Sequence, residues 1–333
     1  MESSLAVSSP DPAASGRPAR IGAIDVLRGL ALLAMATYHF TWDLEFFGVA
    51  DPGTASMGPM KWYARGIAST FLMLAGVSLV LAHHAGINWP SFRKRLAMVA
   101  GAALLITIGT FFAMSRGFIF FGILHQIALG SLIGLAFLRL PAMLMLAAAA
   151  VMIAAPHFLR SAFFDAPALW WVGLSSVDPV SNDYVPVLPW TGMVLIGMAL
   201  GKLAAKYGVF ERLRPFQAGK TRPGAALSFL GKHSLAFYLI HQPVMLACLY
   251  IFTFINPPAP RDPVADYQNA CMANCALTQS RSFCASFCPC VKTRMQALGQ
   301  FDKLMSGALD PKSDPNVLNS AQLCSAEAQD NGE

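Results

Sequence analysis

The sequence predicts an all-α, polytopic membrane helix bundle of about seven transmembrane helices, followed by a small cysteine-rich C-terminal tail. Three observations predict it: little charge, long apolar runs, and basic residues confined to the ends of those runs. Of 333 residues, 55% are hydrophobic and 13% are Asp, Glu, Lys or Arg, whereas a soluble domain carries about 25% charge. The apolar runs are long enough to cross a bilayer, which takes about 20 residues at 1.5 Å each. The net charge of +6 is spread over run ends and not gathered into one patch, which argues against a nucleic-acid partner.

Taken in order, residues 1–20, rich in Ser, Pro and Ala, read as a disordered cytoplasmic leader. Spans follow at 22–42, 62–84, 96–114, 117–138, 141–157, 187–206 and 228–255, giving a membrane domain over 21–256. Phe163–Leu174 is apolar but too short to span and suits the interface. Ala34-Met35-Ala36 has the form of a signal-peptidase site, but Asp25 and Arg28 interrupt the hydrophobic run before it.

Alternate connections starting with the N-terminus hold Arg17, Arg20, Arg93, Lys94, Arg95, Arg139, Lys202, Lys206, Arg212, Arg214, Lys220 and Arg222, twelve in all. The others hold four, Lys61, Arg65, Arg116 and Arg160, together with Asp43, Glu45, Asp51, Asp165, Asp178 and Asp183. The positive-inside rule then places the N-terminus in the cytoplasm, and an odd number of spans places the tail, 257–333, outside.

Six of the seven cysteines lie in that tail: Cys271, Cys275, Cys284, Cys288, Cys290 and Cys324. Each C-x3-C pair sets two thiols on one helix face. Two such helices facing one another can be stapled by disulfides in an oxidising compartment, with fifteen pairings open. A metal site is the alternative, although the spacing matches no common zinc pattern and no His follows His241. Cys248, inside the last span, reads as a plain buried thiol, and 291–333 reads as weakly ordered.

Ionisable groups inside a bilayer cost about 2.5–3.5 kcal/mol each on insertion scales, so each needs a reason to be there. The first span holds Asp25, Arg28 and His39. Asp25 and Arg28 can be a snorkelling pair at the cytoplasmic entry, or Arg28 can meet an anion there. His39 lies eleven residues on, about 16 Å along the axis, near the outer face. His125 and His241, on two other spans, come to a comparable depth. Three histidines from three helices at one depth point to a shared polar cavity, and an imidazole suits a general base. Trp42, Asp43, Asp183 and Trp190 sit at the same face and are candidates for holding an acceptor.

Asp25-Val26-Leu27-Arg28-Gly29-Leu30, Phe71-Leu72-Met73-Leu74-Ala75-Gly76-Val77-Ser78, Pro189-Trp190-Thr191-Gly192 and Leu230-Gly231-Lys232-His233-Ser234-Leu235 give the chain a likeness over about residues 20–250. It resembles bacterial proteins with the heparan-alpha-glucosaminide N-acetyltransferase catalytic domain, within the transmembrane acyltransferase group related to acyltransferase family 3. Arg28 and His39 also match the Arg, ten residues, His pattern of the latter.

The resemblance implies a multi-pass enzyme of the bacterial inner membrane with acetyl-CoA as acyl donor and lipid around it. Its acceptor would be a sugar amine or hydroxyl of a periplasmic glycan. On that analogy His39 is the leading base, helped by His125 and His241, with Arg28 and Asp25 toward the coenzyme A side. The family's lysosomal member differs at the position of His39, so the acceptor is not inherited. Two other classes stay open: a proton-coupled transporter or channel using the same histidines, and a non-catalytic membrane assembly protein. A homo-oligomer is compatible with each.

Overall fold

The computed structural model describes residues 21–330 apart from 52, 85, 115–116, 216–218, 220, 260–261, 277, 307, 310 and 312. The leader at 1–20 lies outside the described residues, as do Arg17, Arg20, Arg116 and Lys220 of the charge count. The helices are α1 Gly22–Phe46, α2 Gly58–Ala82, α3 Trp89–Ala113, α4 Ile123–Phe137, α5 Ala142–Phe158, α6 Val187–Lys206, α7 Val209–Leu213, α8 Arg222–Lys232, α9 Ser234–Ile255, α10 Pro263–Cys275, α11 Arg281–Ala297, α12 Phe301–Met305 and α13 Pro315–Asp330. Two 3₁₀ turns, Ala162–Asp165 and Pro167–Val172, fill the apolar segment before α6. Among the described residues the only β pairing is an isolated bridge between Ser161 and Ser175.

Five helices, α1, α2, α3, α6 and α9, are long and apolar enough to cross a membrane; α4 and α5 are apolar but shorter. Leu104, Leu105, Ile108 and Phe112 stand exposed on α3, the arrangement expected of a face that meets lipid.

The expected fourth span begins six residues late. Gly117–Phe121 runs non-helically beside the segment before α6: the Asn182 and Val185 amides donate to the Gly117 and Phe121 carbonyls, at 2.9 and 3.0 Å. The expected seventh span is two helices. The His233 amide donates to the Phe229 and Leu230 carbonyls and closes α8, and α9 starts at Ser234.

The chain divides into two compact units. One ends at Leu32 and resumes over Ser69–Phe237; the other holds Leu33–Ala68 and the chain from Tyr238 onward. In the first unit the helices approach through glycines. A Cβ at Gly29 would fall under 3 Å from the Leu227 backbone, and one at Gly231 equally close to that of Asp25. Thus α1 and α8 cross backbone to backbone. Gly76 lies as close to the Val194 carbonyl and Gly197 to that of Met73, which locks α2 to α6. Such contacts suit helices in lipid, where close packing replaces hydrophobic drive. Leu72, Met145, Val194, Leu195 and Met198 fill the core around them.

Beside these helices, Asp165 ties the 3₁₀ turns together. Hydrogen bonds from the Ser175 and Ser176 hydroxyls hold its carboxyl below the ordinary range. Tyr184 donates to the Trp170 carbonyl at 2.7 Å, and burial pushes its phenol up to about 12.

In the second unit the stapled helix pair expected of the tail is present. Cys271 bonds Cys288 and Cys275 bonds Cys284, joining α10 to α11, and Cys290 bonds Cys324, joining α11 to α13. Two expectations are corrected. Cys248 is exposed, because it lies on a face of α9 that nothing among the described residues covers. The segment after 291 forms ordered helices, because Val291, Met295, Phe301, Val317 and Cys324 close a small core. Intact mass after alkylation, with and without reductant, should count three bridges. Replacing Cys290 and Cys324 by Ser, which opens the longest loop, should lower tail stability by about 2–4 kcal/mol.

Candidate functional site

The inner end of α1 carries the first cluster. Arg28 spans from Asp25, three residues earlier and 3.0 Å away, to the Ser78 hydroxyl on α2. Asp25 is buried, and its ion pair with Arg28 offsets part of the cost of that burial. Its Oδ2 has no hydrogen-bond partner among the described residues. Gly29, next to Arg28 in sequence, meets the Leu227 backbone of α8, and Gly231 of α8 meets the Asp25 backbone, so this crossing holds the turn of α1 that carries the pair.

The second cluster lies between α1 and α9, within the second unit. The rings of His39 and His241 meet with centroids 5.2 Å apart. His241 Nδ1 sits 2.9 Å from the Tyr238 carbonyl. A carbonyl only accepts, so Nδ1 carries the proton and Nε2 bears the lone pair. One turn beyond His39, the fully buried Asp43 accepts a hydrogen bond from the Gln242 amide at 2.5 Å. Asp43 Oδ2 and Gln242 Oε1 have no further partner among the described residues. Two adjacent polar residues of α9 thus meet two residues of α1 spaced by one helical turn. Trp42, beside Asp43, stacks on Phe46.

The third cluster is in the first unit, at the start of α4. His125 Nδ1 accepts from the Gly122 amide at 3.2 Å, so its proton is on Nε2, which lies 3.2 Å from the Thr107 hydroxyl. Both ring nitrogens of His125 are committed to holding the helix start. Asp183 accepts from the Ile123 amide at 2.9 Å, which makes it a cap for α4. Below them, the buried Gln126 donates to Thr191 on α6 at 2.8 Å. Trp190, next to Thr191, is half-buried at the opening of α6. The predicted histidines therefore divide: His39 and His241 come together in one unit, and His125 belongs to the other with partners of its own.

Ser78, Gln126, Thr191 and Gln242 were missed by a reading that weighed charged groups and histidines alone. Their signal is an uncharged polar residue inside an apolar run, which needs a partner on another helix as much as an ion does.

The family model "Heparan-alpha-glucosaminide N-acetyltransferase, catalytic" matches residues 20–243. The chain belongs to that family. No curated protein and no solved structure matches it. The match takes in all three clusters and stops one residue past Gln242. It also takes in all four glycines of the α1–α8 and α2–α6 crossings. The disulfide-stapled tail lies beyond the heparan-alpha-glucosaminide N-acetyltransferase catalytic region.

Proposed function

We propose that the chain is an acetyltransferase that takes its acyl group from acetyl-CoA on the cytoplasmic side. It delivers that group to a sugar amine or hydroxyl of a glycan outside the bacterial inner membrane. The observation that carries this reading is the meeting of His39 and His241 inside a chain of this family.

In the step, His39 takes the proton from the acceptor's amine or hydroxyl as that atom attacks the thioester carbonyl. The new C–N or C–O bond forms, the C–S bond breaks, and the thiolate leaves and is protonated. His241, its tautomer fixed by the Tyr238 carbonyl, packs its ring against that of His39 and orients it. Asp43 Oδ2 and Gln242 Oε1 are two acceptor atoms set for the N–H or O–H groups of the sugar, with Trp42 beside them. Arg28, supported by Asp25 and Ser78, is on the donor side. His125 and Asp183 act by fixing the start of α4, and Trp190 offers a ring at the opening of α6.

In this reading the N-terminus is cytoplasmic, and the membrane domain over 21–256 carries the chemistry. The tail over 257–333 is periplasmic, which agrees with three disulfides. The experiment is transfer of labelled acetyl from acetyl-CoA to an aminosugar by the purified protein, with reporters fused after Ile255 reading the side of the tail. Transfer to the sugar and a reporter active only in the periplasm are expected. Absence of both thioester loss and transfer, over a panel of amine and hydroxyl sugars, would sink the enzymatic reading.

A further inference from the structure

The tail lies beyond the family match and carries a cluster of its own. The sulfurs of Cys290 and Cys324 and a carboxylate oxygen of Glu327 lie within 4.8 Å of one another, and no other such trio forms among the described residues. Glu327 stands one turn after Cys324 on α13, so the helix that supplies one sulfur of the bridge also supplies the carboxylate. Arg294 of α11 pairs with Glu327 Oε1 and fixes the carboxylate beside the bridge.

One contact there is incomplete while the bridge is closed. Glu327 Oε2 lies 3.1 Å from Cys290 Sγ, within reach of a thiol donor, but a disulfide sulfur has no proton to give. Reduction supplies it: the Cys290 thiol then donates to a carboxylate already held in place, a charge-assisted bond that the closed bridge lacks. Access does not separate the three bridges, since each joins a fully buried sulfur, Cys284, Cys288 or Cys324, to a partly exposed one. The carboxylate does, since among the described residues neither of the other bridges has one within the same reach. Val317 also holds α13 in the small core with Val291 and Met295, so the helix need not leave when the bridge opens.

We propose that Cys290–Cys324 is a thiol-exchange site, the bridge of the three that takes two electrons from the dithiol of a partner protein, with Glu327 as its proton carrier. A partner thiol gives its proton to Glu327 and attacks the partly exposed Cys290 Sγ. The mixed disulfide forms, the Cys290–Cys324 bond breaks, and the Cys324 thiolate takes the proton from Glu327, whose oxygen lies within 4.8 Å. The partner's second thiol then attacks the partner's own sulfur in the mixed disulfide. Cys290 leaves as a thiolate, takes that thiol's proton, and donates a hydrogen bond to Glu327. One dithiol has become a disulfide, and one bridge has become two thiols. Cys271–Cys288 and Cys275–Cys284 stay closed and keep α10 on α11. This site is separate from acetyl transfer and does not depend on it.

The test equilibrates the full chain in detergent with mixtures of reduced and oxidised dithiothreitol, then alkylates it and maps the labelled peptides by mass spectrometry. Cys248→Ser removes the free thiol of α9 and with it any reshuffling by that group. Cys290 and Cys324 should be labelled together, at a reduced-to-oxidised ratio about tenfold or more below the one that opens the other two bridges. Glu327→Ala should raise the ratio for this pair about tenfold and slow its opening, while leaving the other two bridges where they were. Three bridges that open together, or Cys271–Cys288 or Cys275–Cys284 opening first, would overturn the assignment. So would a Glu327→Ala chain in which the Cys290–Cys324 ratio does not move, or in which all three ratios move alike. The order of opening in the chain that keeps Glu327 decides the matter even where Glu327→Ala fails to fold.

Discussion

His39→Gln should lower turnover at saturating donor and acceptor by about 10²–10⁴-fold, equivalent to about 3–5 kcal/mol of barrier, while leaving donor affinity nearly unchanged. Glutamine keeps a hydrogen-bonding group at that place on α1 but cannot take a proton near neutral pH. The neighbouring contacts make the reading of this variant clean. Asp43 is held by Gln242 one turn away, independently of the His39 ring, so the helix pair should survive the change. His241→Gln should have a smaller effect, because His241 acts through His39. Should His241→Gln abolish turnover while His39→Gln spares it, the roles of the two rings are reversed.

The second large effect is structural. Gly76→Ala and Gly197→Ala should each destabilise the protein by more than the usual 1–3 kcal/mol of an overpacked site. The added methyl meets backbone, the Val194 carbonyl in one case and the Met73 carbonyl in the other, and backbone cannot turn aside as a side chain can. At about 2–4 °C per kcal/mol, the loss should be plain in a thermal melt followed by size-exclusion chromatography. Gly101→Ala and Gly109→Ala on α3 are the controls. A Cβ at either place meets nothing within 4 Å, so these should be neutral or stabilising by up to about 1 kcal/mol. Equal losses in all four variants would mean that glycine content, and not the α2–α6 crossing, is what matters.

The long apolar runs of α1, α2, α3, α6 and α9 were legible because length and hydropathy alone define a span. The stapled tail was legible because each C-x3-C pair sets two thiols on one helix face, while the choice among fifteen pairings needed the packing of α10 on α11. The start of α4 was not. Residues 117–122 are as apolar as the helix that follows, and what stops the helix is pairing with Asn182 and Val185, far along the chain.

The histidines show the same limit. Depth along a helix can be counted from sequence, and the count put His39, His125 and His241 at comparable depth; the rings of His39 and His241 meet. Which way a ring faces depends on neighbours. His125 counts to a similar depth, yet Gly122 and Thr107 claim both of its nitrogens. Gln242 was passed over because it carries no charge, although it donates to Asp43, one turn beyond His39. The four family motifs were visible as strings; that their glycines are the points where helices touch needed the packing.

The most direct test of the account is sidedness of transfer in proteoliposomes of uniform orientation. Labelled acetyl-CoA is supplied on the face that carries the N-terminus, and an aminosugar is sealed on the other. Labelled N-acetyl sugar is expected on the far side, with one coenzyme A thiol released on the near side for each acetyl transferred, and neither above background with His39→Gln protein. Label found only on sugar that shares a compartment with the donor, or transfer that persists at full rate in His39→Gln, would contradict it.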